Sequence, residues 1–329
     1  MLRDTVRELF RRECTADKVR AVWESDATRL EQVWKKLADM GVVAMLADEN
    51  AGGMSMNELD LVLILEESGR AALPDPLVET TAVAVPLLNE LDDGNELKRT
   101  WLDAAASGKA IVGLGLNGES FVPFGAEADL LLLRRGDQLH ALAKGDADVT
   151  LVRSVDHARP LATITWDPTP DTLVLEGTAA RLACERAYNR GALGAAAQLL
   201  GLTRHMLDMT VEYVKARHQF GKPIGSFQAL KHKLADTLIQ LEFARPVVYR
   251  AAYSLAHDDA DAATHVSMAK AHASDAATFA AKATLQCHGA LGYSFEYDLH
   301  LWMKRAWALA SAWGDARWHR RRVSQTLFA

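Results

Sequence analysis

Apolar residues in the first part of the chain recur at intervals of three and four: Val6, Leu9 and Phe10, then Leu30, Val33, Leu37 and Met40, then Leu59, Leu61, Val62, Leu63 and Leu65. That is the period of one helix face, so residues 1–109 read as an N-terminal helical domain. Gly41, the pair Gly52-Gly53 and Gly69 punctuate it. Leu73-Pro74-Asp75-Pro76 is a strong break, because two prolines fix φ and remove two backbone donors. Over residues 110–177 the runs shorten to Ile111–Leu114, Asp129–Leu133, Gln138–Leu142, Asp148–Val152, Leu161–Trp166 and Thr172–Leu175. Gly136-Asp137, Gly145-Asp146 and Pro168-Thr169-Pro170 separate them, which predicts a small middle β-domain. Over 178–329 helix formers dominate again, Ala-rich at 191–200 and 262–283. Breaks at Gly221-Lys222-Pro223, His257-Asp258-Asp259 and Gly289–Gly292 mark long helices with short connections. The expected fold is α+β, mostly α, ending in an antiparallel four-helix bundle.

Composition narrows the functional classes. The chain has 329 residues, 49% hydrophobic and 24% charged, so it can bury a large core and is not a disordered polymer. Its net charge of −6 lacks the positive balance that drives phosphate-backbone binding, so nucleic acid is not an expected partner. Cys14, Cys184 and Cys287 are scattered and include no CxxC, which fits reduced thiols in a cytoplasmic protein and no metal site. The start, Met1-Leu2-Arg3-Asp4, carries no apolar signal region, and no run of 18 apolar residues predicts a membrane span. Gly113-Leu114-Gly115-Leu116-Asn117-Gly118 has the GxGxxG spacing but opens no helical pattern, and there is no P-loop, so a Rossmann dinucleotide site is not expected.

Two stretches carry candidate chemistry. The first is Arg217-His218-Gln219-Phe220-Gly221-Lys222-Pro223, with Ser226 as the expected N-cap of the following helix and Gln228 just inside it. An arginine beside a helix start suits a phosphate or pyrophosphate, because guanidinium donors and free backbone N–H groups converge there. The bland alternative is a helix–turn–helix with a surface arginine. The second is Gln286-Cys287-His288-Gly289-Ala290-Leu291-Gly292-Tyr293, where two glycines three apart allow close approach of a ligand or backbone, or simply cap a helix.

In this order, on a helical bundle behind a β-domain, the two stretches resemble the acyl-CoA dehydrogenase family. Trp34–Gly41, Glu49–Met54 and Glu66-Glu67-Ser68-Gly69-Arg70 look like that family's N-terminal domain. The resemblance implies that the two turns hold the ADP half of FAD, typically one bound in the neighbouring subunit, through Arg217, Gln219, Phe220, Gln228, Gln286, Gly289 and Ala290. Ala290 replaces the family's second glycine. The flavin-covering Thr-Glu-x-x-x-Gly-Ser loop is replaced by Gly113–Ser120, and the Trp-Ile-(Thr/Ser) strand has no counterpart.

The family's catalytic Glu-Gly pair, counted without gaps from Gly292, falls on Trp313-Gly314. Tryptophan cannot accept a proton, so no catalytic base is expected in this chain. Asp315 lies two residues beyond, and Glu185-Arg186 fits by type an alternative Glu-Arg base pair that some relatives place on an earlier helix. These two carboxylates remain weak candidates beside their reading as surface or capping groups. The pattern resembles the short subunits of heteromeric α2β2 dehydrogenases of actinobacterial steroid side-chain degradation. It implies an FAD-dependent acyl-CoA dehydrogenase subunit whose homologous partner supplies the base, with an acyl-CoA substrate and an electron-transfer acceptor. The alternatives are a self-sufficient homo-oligomer using Asp315 or Glu185, and a non-catalytic member of the fold.

Remaining features read more plainly. His205, His218, His232 and His288 lack metal-ligand spacing and read as helix-surface histidines. The Arg317–Arg322 run reads as a solvated face, with CoA phosphates or an acidic partner as the sharper reading. Trp302, Trp307, Trp313 and Trp318 do not form one helical stripe and read as core.

Overall fold

A computed structural model of the chain describes residues 1–25, 27–118 and 121–328; Glu119 and Ser120, which end the Gly113–Ser120 run, lie outside the described residues. The first helices are α1 (Leu2–Glu13), α2 (Ala16–Glu24), α3 (Glu31–Asp39) and α4 (Glu58–Arg70). A π-helical segment, Val78–Ala84, runs into α5 (Val85–Asn89), and α6 (Glu96–Ala106) follows. Next come β1 (Val112–Gly115), β2 (Val122–Pro123), β3 (Leu130–Arg135), β4 (Gln138–Ala143), β5 (Asp148–Val152), β6 (Leu161–Thr165) and β7 (Leu173–Glu176). The rest is α7 (Gly177–Ala216), the small strands β8 (His218–Gln219) and β9 (Lys222–Pro223), then α8 (Gln228–Ala256), α9 (Ala262–His288), α10 (Leu299–Ser311) and α11 (Ala316–Leu327). Among the described residues no helix is long and apolar enough to cross a membrane.

The chain packs as two compact units, each built from separate segments. One comprises residues 25–61 and 74–191. It holds a four-stranded sheet, β1-β3-β4-β7, in which only β1–β3 is parallel, and an antiparallel sheet, β2-β6-β5. Val122, Ala128, Leu131, Leu133 and Leu142 form a core against which Ile164 and Trp166 pack. Trp34 of α3 donates its indole N–H to Gly108 O at 2.9 Å. The π-helical segment is fully buried, with the Val85 N–H reaching back five residues to Thr80 O before Pro86, which has no N–H. Its Glu79 is paired with Arg159 at 3.1 Å out of solvent.

The second unit comprises residues 1–24, 62–73 and 192–329. Here the end of α4 crosses α7 through two glycines. A Cβ on Gly69 would lie 2.1 Å from Gln198 O, and one on Gly201 would lie 1.9 Å from Glu66 O. The Gln198 amide also donates to Ser68 Oγ at 3.0 Å. Helices α8 and α9 form a long hairpin joined by residues 257–261, and α9 buries an alanine-rich face that lets neighbouring helices approach closely. Both α10 and α11 pack on α9.

Each of the six expected strands is present to within about two residues, and the breaks at 73–76, 257–259 and 289–292 separate helices as expected. The expected N-cap moves. Ser226 belongs to a short 3₁₀ turn, and Phe227 occupies the N-cap of α8 without a side-chain bond. The turn closes with the Phe227 N–H on Ile224 O at 3.1 Å, which shifts the helix start by one residue.

Candidate cofactor-binding site

The first expected turn is a tight hairpin. The Arg217 N–H makes the last bond back into α7, to Tyr213 O, and the Arg217 carbonyl accepts from the Ile224 N–H, both at 2.8 Å. Between them His218 pairs with Pro223 and Gln219 with Lys222. Phe220 and Gly221 turn the corner with φ of +53° and +78°. Two successive positive φ values suit a two-residue hairpin, but for phenylalanine the left-handed region carries strain of ~1 kcal/mol or more. The Phe220 ring is also 90% exposed. The Lys222 ammonium lies 4.4 Å from the centroid of the Phe227 ring, which steadies the base of the hairpin.

The second turn begins where α9 ends. Gly289 has φ +64° and ψ −144°, a conformation open in practice only to glycine, and the space where its Cβ would stand is free to 4 Å. Gly292 serves packing instead. A Cβ there would meet His288 Cβ at 2.8 Å, so the close approach at this glycine is to its own chain.

Topology brings the two turns to one end of the bundle, because Gln228 opens α8, Gln286 lies in the last turn of the antiparallel α9, and Arg217 follows α7 directly. Side-chain contacts stitch that end together. The Tyr213 ring stacks on His288 with centroids 4.1 Å apart, and the Tyr297 hydroxyl lies 3.2 Å from His288 Nε2. Burial lowers the His288 pKa below the ordinary histidine value, so the ring is neutral near pH 7. Its Nδ1–H then donates to Thr284 O at 2.9 Å, leaving Nε2 to accept from Tyr297. The surface reading of His288 is therefore corrected. So is that of His205, whose ring lies flat on Trp302 at 4.1 Å. A one-residue offset in a helix decides which histidine faces the core, and neighbouring alanines give no amphipathic marker there.

Arg217, Gln219, Phe220, Gln228, Gln286, Gly289 and Ala290 are all exposed. The side chains of Arg217, Gln219, Gln228 and Gln286 have no protein hydrogen-bond partner among the described residues, so their donors are available to a ligand.

The α10–α11 turn, where the resemblance would place a glutamate, is closed and polar-locked. Trp313 is buried with φ +56°, and Gly314 follows at φ +85°. His319 Nε2 donates to Trp313 O at 2.8 Å, and Lys270 Nζ donates to Ala310 O and Gly314 O at 3.1 and 3.0 Å. Asp315 is the N-cap of α11, accepting from the Trp318 N–H at 2.7 Å. Glu185 sits on the exposed side of α7. All three cysteines are buried thiols, and burial pushes Cys184 up to about 11, which leaves it unreactive near neutral pH.

The buried histidines set an acid limit. Burial pushes His319 down to about 4, partly offset by its bond to Trp313 O, and burial with Lys304 and Arg20 nearby pushes His300 to about 4. In the unfolded chain both protonate near 6.5, so their contribution is complete above that pH and falls as pH drops from 6.5 to 4. Unfolding free energies from urea denaturation should fall across this window by up to ~1.4 kcal/mol per pH unit for each histidine. His319→Gln should flatten the fall; an unchanged slope in that variant would remove His319 from the effect.

Comparison with known proteins decides the family. Residues 1–109 match the acyl-CoA dehydrogenase N-terminal domain model, and residues 180–328 match the C-terminal domain model. The chain belongs to the acyl-CoA dehydrogenase family. It is 33% identical over 311 residues to acyl-CoA dehydrogenase IpdE2 of Mycobacterium tuberculosis, covering 93% of this chain and 90% of that protein. It is likewise 33% identical over 324 residues to acyl-CoA dehydrogenase FadE34 of the same organism, covering 92% of this chain and 43% of that longer protein. The crystal structure of the ChsE4-ChsE5 complex from M. tuberculosis superposes with a TM-score of 0.89 at 25% identity, over 99% of this chain and 96% of that one. This acyl-CoA dehydrogenase family chain therefore shares its architecture with a chain of the ChsE4-ChsE5 complex.

Proposed function

We propose that the chain is one subunit of an FAD-dependent acyl-CoA dehydrogenase that holds the ADP half of the flavin and relies on a homologous partner subunit for the catalytic base. The observation that carries this is the α10–α11 turn. A buried tryptophan stands where the resemblance puts the family's glutamate, and the nearby Asp315 carboxylate is engaged as a helix cap.

The residues present fit the ADP half. Arg217 offers unpaired guanidinium donors to a pyrophosphate, Gly289 leaves a backbone cradle that a Cβ would fill, and Gln219, Gln228 and Gln286 offer amides. Phe220, strained and exposed, presents an apolar face for contact outside its own chain. When bound, FAD supplies the hydride acceptor for α,β-dehydrogenation of an acyl-CoA thioester. The Tyr213–His288–Tyr297 stack keeps the two turns in register, so their donors are organised before a ligand arrives.

The partner reading is supported by α8, which exposes Ile239 and Phe243, one helical turn apart, with Phe243 73% exposed. The partner is a homologous acyl-CoA dehydrogenase subunit, the expected assembly is α2β2, and the resemblance to steroid side-chain enzymes favours a bulky acyl group. Electrons pass to a separate electron-transfer acceptor.

The test is co-expression of the chain with candidate homologous subunits, followed by a visible spectrum and acyl-CoA turnover. Flavin bound only in the co-expressed complex supports the proposal, whereas flavin and turnover in the isolated chain reject it. In the complex, Arg217→Ala should weaken FAD binding by about 10- to 100-fold, the worth of a charge-assisted hydrogen bond, with little change in folding. Glu185→Gln and Asp315→Asn should leave kcat within a few-fold of wild type. A loss of about 10²-fold or more in either one, with flavin still bound, would assign the base to that residue.

A further inference from the structure

We propose that the cleft bounded by α1, α4, α7 and α10 is a binding site for a small amphipathic carboxylate, separate from the cofactor turns. The cleft has a volume of about 600 Å³, within the range of ligand pockets. Its floor is aromatic: Trp302 and His205 lie stacked with rings 10° from parallel, and the indole N–H is engaged by Arg70 O at 2.9 Å. Burial, with Arg70 nearby, pushes His205 down to about 4, so this floor carries no charge near neutral pH. Phe10 and Met209 supply apolar walls.

One edge of the cleft is lined by arginines. Arg7 and Arg70 line it, each with its side chain 44% exposed. Arg7 bonds Glu67 at 2.5 Å and lies 3.5 Å from Asp4, while Arg70 uses a single nitrogen, on Asp208 at 2.8 Å. A guanidinium has five N–H donors, so both retain donors for a further anion. A second cleft of about 300 Å³ shares Arg7, Glu67 and Arg70 and adds Arg3, Arg204 and Arg245 against Glu66. Along this edge the five arginines Arg3, Arg7, Arg70, Arg204 and Arg245 are matched by the five carboxylates Asp4, Glu66, Glu67, Asp208 and Glu242, so the edge offers guanidinium donors rather than net positive charge. The acids Asp4, Asp208 and Glu242 each take a bond from this set, which fixes the guanidiniums in place without using all their donors.

These two halves select one ligand chemistry. A planar carboxylate matches the guanidinium fork, and a hydrocarbon chain or ring gains by covering the Trp302–His205 floor. Inorganic phosphate would satisfy the arginines but leave the apolar floor wet, and an uncharged alcohol would do the reverse. The site uses none of the residues assigned to the flavin, so it stands or falls independently of the proposed function.

Isothermal titration of octanoate, 1-octanol, acetate and inorganic phosphate into the purified protein tests it. Octanoate should saturate one site and bind at least tenfold more tightly than each of the other three. Arg70→Gln should weaken octanoate at least tenfold while leaving 1-octanol unchanged, and Met209→Trp, which fills the cleft from its wall, should abolish octanoate binding in a protein of unchanged circular dichroism. Octanoate binding no tighter than 1-octanol or phosphate, or binding unaffected by Met209→Trp, would overturn the proposal.

Discussion

Gly201→Ala is expected to destabilise the protein by about 3 kcal/mol or more, although helix propensity alone predicts a gain of ~1 kcal/mol for the same change. The contact decides the sign. The added methyl would stand 1.9 Å from Glu66 O and 2.5 Å from the Arg70 backbone nitrogen, both main-chain atoms of α4 that cannot rotate away. Relief requires α4 and α7 to separate, which opens the packing around Ser68 and Gln198. Gly69→Ala should act in the same direction, since its methyl would meet Gln198 O at 2.1 Å. Because both changes strain one crossing, the double variant should lose less than the sum. Gly94→Ala is the control, with nothing within 4 Å of its added carbon. Urea denaturation measures all four; a Gly201→Ala midpoint at or above wild type would show that the two helices do not cross as closely as described.

The second large effect belongs to Lys270→Met. Lys270 is fully buried, and its ammonium donates to Ser274 Oγ, Ala310 O and Gly314 O at 3.0–3.1 Å. Methionine fills nearly the same volume, so the expected loss of about 2–4 kcal/mol reflects carbonyl groups left without a donor in a dry site. The loss has an address. Gly314 follows Trp313 in a turn with two successive positive φ values; the Lys270 ammonium ties this turn to α9, whereas the His319 bond to Trp313 O ties it to α11. Hydrogen exchange of the α11 amides should therefore accelerate more than that of α8. If stability stays within ~0.5 kcal/mol of wild type, the buried ammonium contributes as much desolvation cost as it returns in hydrogen bonds.

The chain's own periodicities determined much of the architecture. The strand run Asp148–Val152 coincides with β5, and the apolar runs at Asp129–Leu133 and Gln138–Leu142 became the β3–β4 pair, because alternation and turn residues act between neighbours in sequence. The helix breaks at 73–76 and 257–259 were legible for the same reason: proline, glycine and aspartate act locally on φ and on backbone donors. The motif residues Arg217 and Gly289 were likewise legible as turns, and both occur in turns that need their residue types or leave their donors free.

Other features depend on partners distant in sequence. The segment Val78–Ala84 is π-helical and wholly buried, which no 3.6-residue pattern signals. Gly201 reads as an ordinary interruption of an alanine-rich helix until Glu66 O arrives from 135 positions away in the chain. His288 looked like a surface residue, and only the approach of Tyr213 and Tyr297 made it the link between the two turns. Asp315 could have been a base or a cap by residue type; the Trp318 N–H at 2.7 Å made it a cap. Sequence fixes local conformational preference through nearest-neighbour sterics and hydrogen bonding, whereas close helix crossings, buried hydrogen bonds and carboxylate roles are set by groups that meet only when distant segments pack.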